Sequence, residues 1–238
     1  MAESQIQNFN HLKIHSQFSI CEGAVKIDDL KEISKEKKIR SLALCDTSNL
    51  CGALEFAEKI SKVGTQPIIG TQMNFKLNDT IGLLPLFALN EIGYKRIIEL
   101  SSLSYLYNDG TSDPHLNFDE LLENNEGVAI FSGTINGLVG QLFNKGKFSE
   151  IEKLYSKLKQ KYGDKFYIEI QRHGDQNEIS FEKFNLSQSL NLEISIIATN
   201  EVFYSNKDMY EAHDALICIK NKTYINEKNR IKFSNQHY

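Results

Sequence analysis

Residues 41–56, SLALCDTSNLCGALEF, carry the arrangement best suited to chemistry in this chain. An apolar run, Leu42, Ala43 and Leu44, stops at Asp46 and the polar residues behind it. Leu50, Ala53, Leu54, Ala57 and Ile60 then recur at helical spacing. A carboxylate placed where a strand gives way to a helix is where α/β enzymes hold acid–base or metal-binding groups. His15, His173 and Glu201 also stand at the ends of short apolar runs. Each has a plainer reading beside the chemical one. His15 is a hydrogen-bonded core histidine, Asp46 a helix cap at residues 48–50, and His173, beside Gly174, a strand-end cap. His213 is a packing or interface residue, and Phe203-Tyr204 belongs to the core rather than to a base-stacking platform.

The elements that would position these groups repeat one pattern, a short apolar strand followed by a helix. Strands are predicted at residues 11–15, 42–44, 67–75, 82–89, 128–131, 166–170 and 194–198. Asn78-Asp79 reads as a turn between the third and the fourth. Asp28, Asn90, Asn117 with Glu120, and Ser149 with Glu152 read as helix caps or capping boxes. A last helix opens at Ser205 and Asp208, and Ile231-Lys232-Phe233 reads as a short strand. About seven strands alternating with helices indicate a parallel sheet covered by helices. Closed into a barrel, such a sheet gathers its polar strand ends, His15, Asp46, Gln72, Asn90, Ser132, His173 and Glu201, into one bowl. The first strand is not followed by a glycine-rich phosphate loop, which disfavours a dinucleotide-binding fold.

Bulk composition narrows the function classes. The chain has 238 residues, 41% hydrophobic and 24% charged, an ordinary globular balance. Its net charge of −4 supplies no basic field for a phosphate backbone, which argues against a stand-alone nucleic-acid binder but not against one module of a larger one. None of the four cysteines forms a C-x-x-C pair, so they read as reduced thiols of a cytoplasmic protein rather than a structural zinc site. The opening MAESQIQNF is too polar for a signal peptide, and no apolar run reaches membrane-spanning length.

Several stretches together resemble one family. HLKIHSQFS, SLALCDTSNLCGALEFAEK, PIIGTQMNF, FALNEIGYKRIIELSSLSY, FYIEIQRHG, IIATNEVFYSNKDMYEAHDALICI and IKF are similar, in order, to the PHP (polymerase and histidinol phosphatase) domain that opens bacterial DNA polymerase III alpha subunits. The resemblance implies a distorted seven-stranded β/α barrel of TIM-like type over residues 8–205. Residues 206–238 would be a connecting helix and strand leading into a polymerase body. In metal-binding members the strand ends hold a three-metal cluster suited to phosphoester hydrolysis.

Carried over residue by residue, that cluster is largely gone. The opening His-x-His is Lys13-Ile14-His15, and the acid before the loop glycine is Glu22. The Asp-His pair is Asp46-Thr47, and Gly-x-Glu is Gly70-Thr71-Gln72. The histidine opening the fourth strand corresponds to Leu83, the cysteine after Ser-Gly to Thr134, and the closing Asp-x-His to Glu201-Val202-Phe203. The surviving metal-ligand positions are His15, Glu22, Asp46 and Glu201, a vestigial set too poor in donors for three divalent ions. Lys13 would repel them, and is expected to pair with Asp46 or Glu201 instead.

The resemblance implies a non-catalytic module of a replicative polymerase that braces the polymerase body and docks a proofreading exonuclease subunit. It would meet the remaining polymerase III subunits and DNA template-primer through the parent protein, with no membrane. It needs no cofactor in this segment, and the polymerase reaction, with its Mg²⁺, lies elsewhere. The alternative is an active metal-dependent phosphoesterase or 3′–5′ exonuclease. A further alternative, an unrelated TIM-barrel enzyme using Asp46 and His173, requires one pocket holding both.

Overall fold

The strands of the protein join edge to edge into a ring. A computed structural model describes residues 9–108 and 110–238; the polar opening, residues 1–8, lies outside them. The strands are β1 (Lys13–Ile14), β2 (Ser41–Thr47), β3 (Gln66–Leu77), β4 (Thr80–Ala88), β5 (His115–Asn117), β6 (Val128–Phe131), β7 (Phe166–Ile170), β8 (Ile196–Ala198) and β9 (Glu201–Val202). Their lateral order is β8-β7-β6-β4-β3-β2-β1-β9, with β5 beside β3. β8 and β9 are consecutive pieces of one run, parted only by Thr199 and Asn200, so the order closes on itself as a distorted seven-stave β/α barrel.

Alternation along each stave sorts side chains between the barrel interior and the helical coat. On β2, Leu42 and Leu44 face outward, packing with Ile14, Val25 and Ile27, and with Phe56 and Ile60 of helix α2 (Ala53–Ser61). Ala43 and Cys45 face inward with Phe87, Ala129 and Phe131. Gly70 makes this interior possible, because a Cβ there would lie 2.4 Å from the Phe87 ring. The largest core cluster lies under helices α3 (Glu91–Leu106), α5 (Leu138–Asn144), α6 (Phe148–Tyr162) and α7 (Glu178–Leu192). The coat is completed by α1 (Ile27–Lys37), the short α4 (Phe118–Leu121) and α8 (Tyr210–Asn221). No helix among the described residues is long and apolar enough to cross a membrane.

One stave departs from the expected parallel sheet. β4 runs antiparallel to both β3 and β6. The Asn78-Asp79 turn, with Asn78 in the left-handed region (φ 54°), joins β3 directly to β4 as a hairpin, leaving no room for the crossover a parallel pair requires. Asn90 therefore lies at the opposite end of the barrel from His15. There it caps α3, accepting from Gly93 N at 3.0 Å. Leu83, near the start of β4, opens toward the same mouth as the ends of the other staves.

Three expected caps do not form: α1 and α6 begin before Asp28 and Ser149, and Asn117 stands at the N-cap of α4 without bonding through its side chain. Asp28, Asn117 and Ser149 make no capping hydrogen bond, and Asp28 instead lies in the first turn of α1, where its charge suits the helix dipole. The turn before α8 is capped by Asn206, which accepts from Asp208 N at 3.1 Å. β5 and α5 carry too short a pattern to be read from sequence. Residues 231–233 form no strand, since the closed ring offers no free edge. Residues 222–238 fold back onto the barrel instead: Arg230 grips Asp214 of α8, and the His237 carbonyl accepts from Phe203 N at 3.0 Å.

Candidate functional site

The two-residue period of the staves carries Lys13 and His15 inward from β1 and its end, Glu169 from β7, and Glu201 from β9. Lys13 and Glu201 are register partners on adjacent parallel strands. Lys13 Nζ lies 3.0 Å from Glu201 Oε1 and 3.6 Å from Glu169 Oε1, and the Lys13 side chain has no solvent exposure. His15 Nε2 approaches the same Glu201 oxygen at 3.1 Å, and its ring stacks on Phe203 with centroids 4.7 Å apart. Glu169 is held by Gln171 Nε2 at 2.9 Å and by the Thr199 hydroxyl.

Burial opposes charge on both partners, and in both the neighbouring charges win. Burial pushes the Lys13 ammonium down, but Glu169 and Glu201 together hold it above the ordinary lysine range. Burial pushes the Glu201 carboxyl up, but Lys13 and His15 keep it well below the ordinary carboxylate range. The interior therefore holds one ammonium between two carboxylates. Beside it burial raises the Cys45 thiol well above its ordinary value, so Cys45 stays protonated.

Above this cluster the mouth encloses a cavity of about 70 Å³, whose lining includes Glu22, Gln72, Leu83, Thr134, Glu201 and Phe203. Gln72 Nε2 donates to Thr47 Oγ1 at 3.0 Å, a neutral amide–hydroxyl pair. Thr134 Oγ1 accepts from Asn136 N within its own turn.

The four sequence-derived ligand positions do not act as one group. His15 and Glu201 meet directly. Glu22 reaches the cavity, but its carboxylate faces Lys220 Nζ at 3.6 Å and its carbonyl accepts from His213 Nε2 at 2.8 Å. Asp46 is turned to the loop after β1, where it accepts from Ser16 N at 2.6 Å, Ser16 Oγ at 2.8 Å and Ser19 Oγ at 2.7 Å. It caps that turn, not the helix at residues 48–50, and of the two partners expected for Lys13 only Glu201 is used. His173 sits outside the mouth cavity, its ring stacked on His237, and neither His173 nor Asp46 lines that cavity. His213 is a packing residue, buried against Phe203. Glu169 escaped sequence reading because FYIEI scans as a plain buried strand. The usable signal was a lone acid flanked by Ile168 and Ile170, matching a lone lysine between Leu12 and Ile14.

A family model described as PHP domain matches residues 11–173. The DNA polymerase III subunit alpha of Caulobacter vibrioides is 32% identical over 251 residues, covering 100% of this chain and 22% of that protein. That of Rickettsia conorii is 35% identical over 224 residues, covering 92% and 19%. This chain thus spans about a fifth of the length of these relatives. Among solved structures, an amidohydrolase from Chromobacterium violaceum superposes with a TM-score of 0.54 at 10% identity, covering 88% of this chain and 97% of that one. A Bifidobacterium adolescentis protein assigned as a metal-dependent phosphoesterase gives 0.53 at 11% identity, covering 87% and 96%. At such identities the two structures speak to the fold alone.

Proposed function

The chain belongs to the PHP domain family, and from that premise we propose that it is the N-terminal PHP module of a replicative DNA polymerase, with a mouth that no longer holds a metal cluster. DNA-templated synthesis, with its Mg²⁺ and its grip on template-primer, belongs to the parent protein. This segment braces the polymerase body and docks the proofreading exonuclease subunit among the other polymerase III subunits, in the cytoplasm. The likeness to the alpha subunits supports the parentage.

One observation carries the metal-free reading: Lys13 Nζ lies 3.0 Å from Glu201 Oε1, so an ammonium fills the place beside that carboxylate that a cation would take. The donor set agrees. Thr47, Gln72, Leu83, Thr134 and Phe203 offer hydroxyl, amide or hydrocarbon where a divalent cluster needs imidazole and carboxylate, and Asp46 is spent on Ser16 and Ser19. The buried Lys13–Glu201–Glu169 cluster keeps the barrel's shape without the ions.

The competing reading, an active phosphoesterase or 3′–5′ exonuclease, draws on the phosphoesterase assignment of one fold neighbour. Assays of p-nitrophenyl phosphate and of 3′-ended DNA with Mn²⁺ or Zn²⁺ separate the two. The module reading expects no hydrolysis above buffer. Hydrolysis lost on His15→Ala would replace it with the enzyme reading.

A further inference from the structure

Beside the mouth, the returning C-terminal segment and the loop after β7 bring together His173, Asp175 and His237, one ligand atom from each lying within 4.8 Å of the other two. None of the three belongs to the positions by which the family's cluster was carried onto this chain. We infer that they form a separate binding site for one divalent transition ion of the zinc type, which clasps residues 231–238 to the barrel.

The hydrogen bonds fix what each ring offers. His237 Nδ1 lies 3.0 Å from the Glu201 carbonyl oxygen, so it must be the donating nitrogen. In the neutral ring Nε2 then carries the lone pair; it is buried and has no hydrogen-bond partner. Facing it at 3.6 Å is Asp175 Oδ2, another acceptor. That separation is too long for a hydrogen bond. It is close to the ~3.3 Å that two ligands about 2.0–2.1 Å from a tetrahedral ion subtend. Asn200 donates through Nδ2 to the Tyr238 carbonyl at 2.9 Å, which turns its Oδ1 toward His173 Nε2 at 2.8 Å. Nε2 of His173 also accepts from the Glu201 backbone N–H at 3.2 Å, and Nδ1 lies 3.5 Å from Glu178 Oε1. The unpartnered His237 Nε2 facing the Asp175 carboxylate oxygen is a standoff that a cation between them relieves. Metal-bound histidines characteristically donate their other nitrogen to a carbonyl in this way.

The loop is already set for the purpose. The Glu178 carboxylate accepts from the backbone N–H groups of His173 at 3.0 Å, Gly174 at 2.8 Å and Asp175 at 3.3 Å, which pins two of the three ligands. The His173 and His237 rings lie face to face, 4.0 Å apart and 9° from parallel. Loading the site turns one ring so that a nitrogen of each converges, and the partly buried Asp175 closes the third position. Two imidazoles and a carboxylate suit Zn²⁺, with a water completing four-coordination.

The test is titration of the purified, metal-stripped protein with Zn²⁺ by calorimetry, and with Co²⁺ by its visible d–d bands. The expected result is one ion per chain. Asp175→Asn, at a partly buried position, and His237→Gln should each weaken binding by more than about tenfold, with circular dichroism checking that each variant is folded. His15→Asn, in the mouth, should leave it unchanged, which separates this site from any revival of the family cluster. Zn²⁺ should also slow tryptic cleavage at Lys228 and Lys232, and chelation should restore it. Absence of binding, or binding that survives Asp175→Asn and His237→Gln, overturns the proposal; loss on His15→Asn would place the ion in the mouth instead.

Discussion

Lys13 and Glu201 are register partners on neighbouring parallel strands, and their side chains meet inside the barrel with Nζ 3.0 Å from Oε1. The same ammonium reaches Glu169 across the interior at 3.6 Å. One lysine thus ties together three staves, β1, β9 and β7, at the level where the ring closes.

Replacing Lys13 with methionine removes the ammonium that both Glu169 and Glu201 face and leaves these two buried carboxylates without it. Breaking a buried pair from one side costs about 3–5 kcal/mol. Urea denaturation of Lys13→Met against the parent protein should show a loss of that size. A change under about 1 kcal/mol would mean that water reaches the cluster and shares its charge.

Asp46 takes three donors, from Ser16 N, Ser16 Oγ and Ser19 Oγ. Asparagine can accept through one oxygen only, so Asp46→Asn strands at least one buried donor, at about 1–3 kcal/mol. Hydrogen exchange at the Ser16 amide should accelerate in the variant. Unchanged exchange would show that the turn holds without its carboxylate.

Lys13, rather than ligand count alone, is expected to block metal uptake at the mouth. In a His237→Ala background, Thr47→His with Gln72→Glu should not raise Mn²⁺ binding while Lys13 is present. Adding Lys13→His should raise it measurably by calorimetry. Uptake in the double variant that still carries Lys13 would contradict this.

Acid should release the C-terminal segment at a definite point. Arg230 Nη1 and Nη2 grip the Asp214 carboxylate at 2.5 and 2.7 Å, and this hydrogen bonding holds the Asp214 carboxyl below its ordinary range. A depressed carboxyl contributes stability that is present above its unfolded value, about 3.9, and is lost as pH falls through the lower folded value. Melting temperatures of the parent protein and Asp214→Asn should therefore differ at pH 7 and converge well below pH 3.9. A gap that persists unchanged into strong acid would rule out the ion pair as its source.

Strand–helix alternation and the count of about seven strands were legible in the chain, because each is written in local residue type and period; closure into a barrel was implied by the family resemblance. β6 and β7 fall on the residues their apolar runs mark. Three matters were decided only by the tertiary structure. The direction of β4 follows from the geometry of a two-residue turn, which periodicity does not encode. Asp46 and Glu201 look alike as acids at strand ends, yet one faces a serine loop and the other a buried lysine, because inward or outward aspect depends on register between strands. His173 and His237 are 64 residues apart in sequence and stack face to face. Contacts that distant have no signature in the order of residues, since the return of residues 222–238 is set by surface complementarity and hydrogen bonding formed only once the barrel has closed.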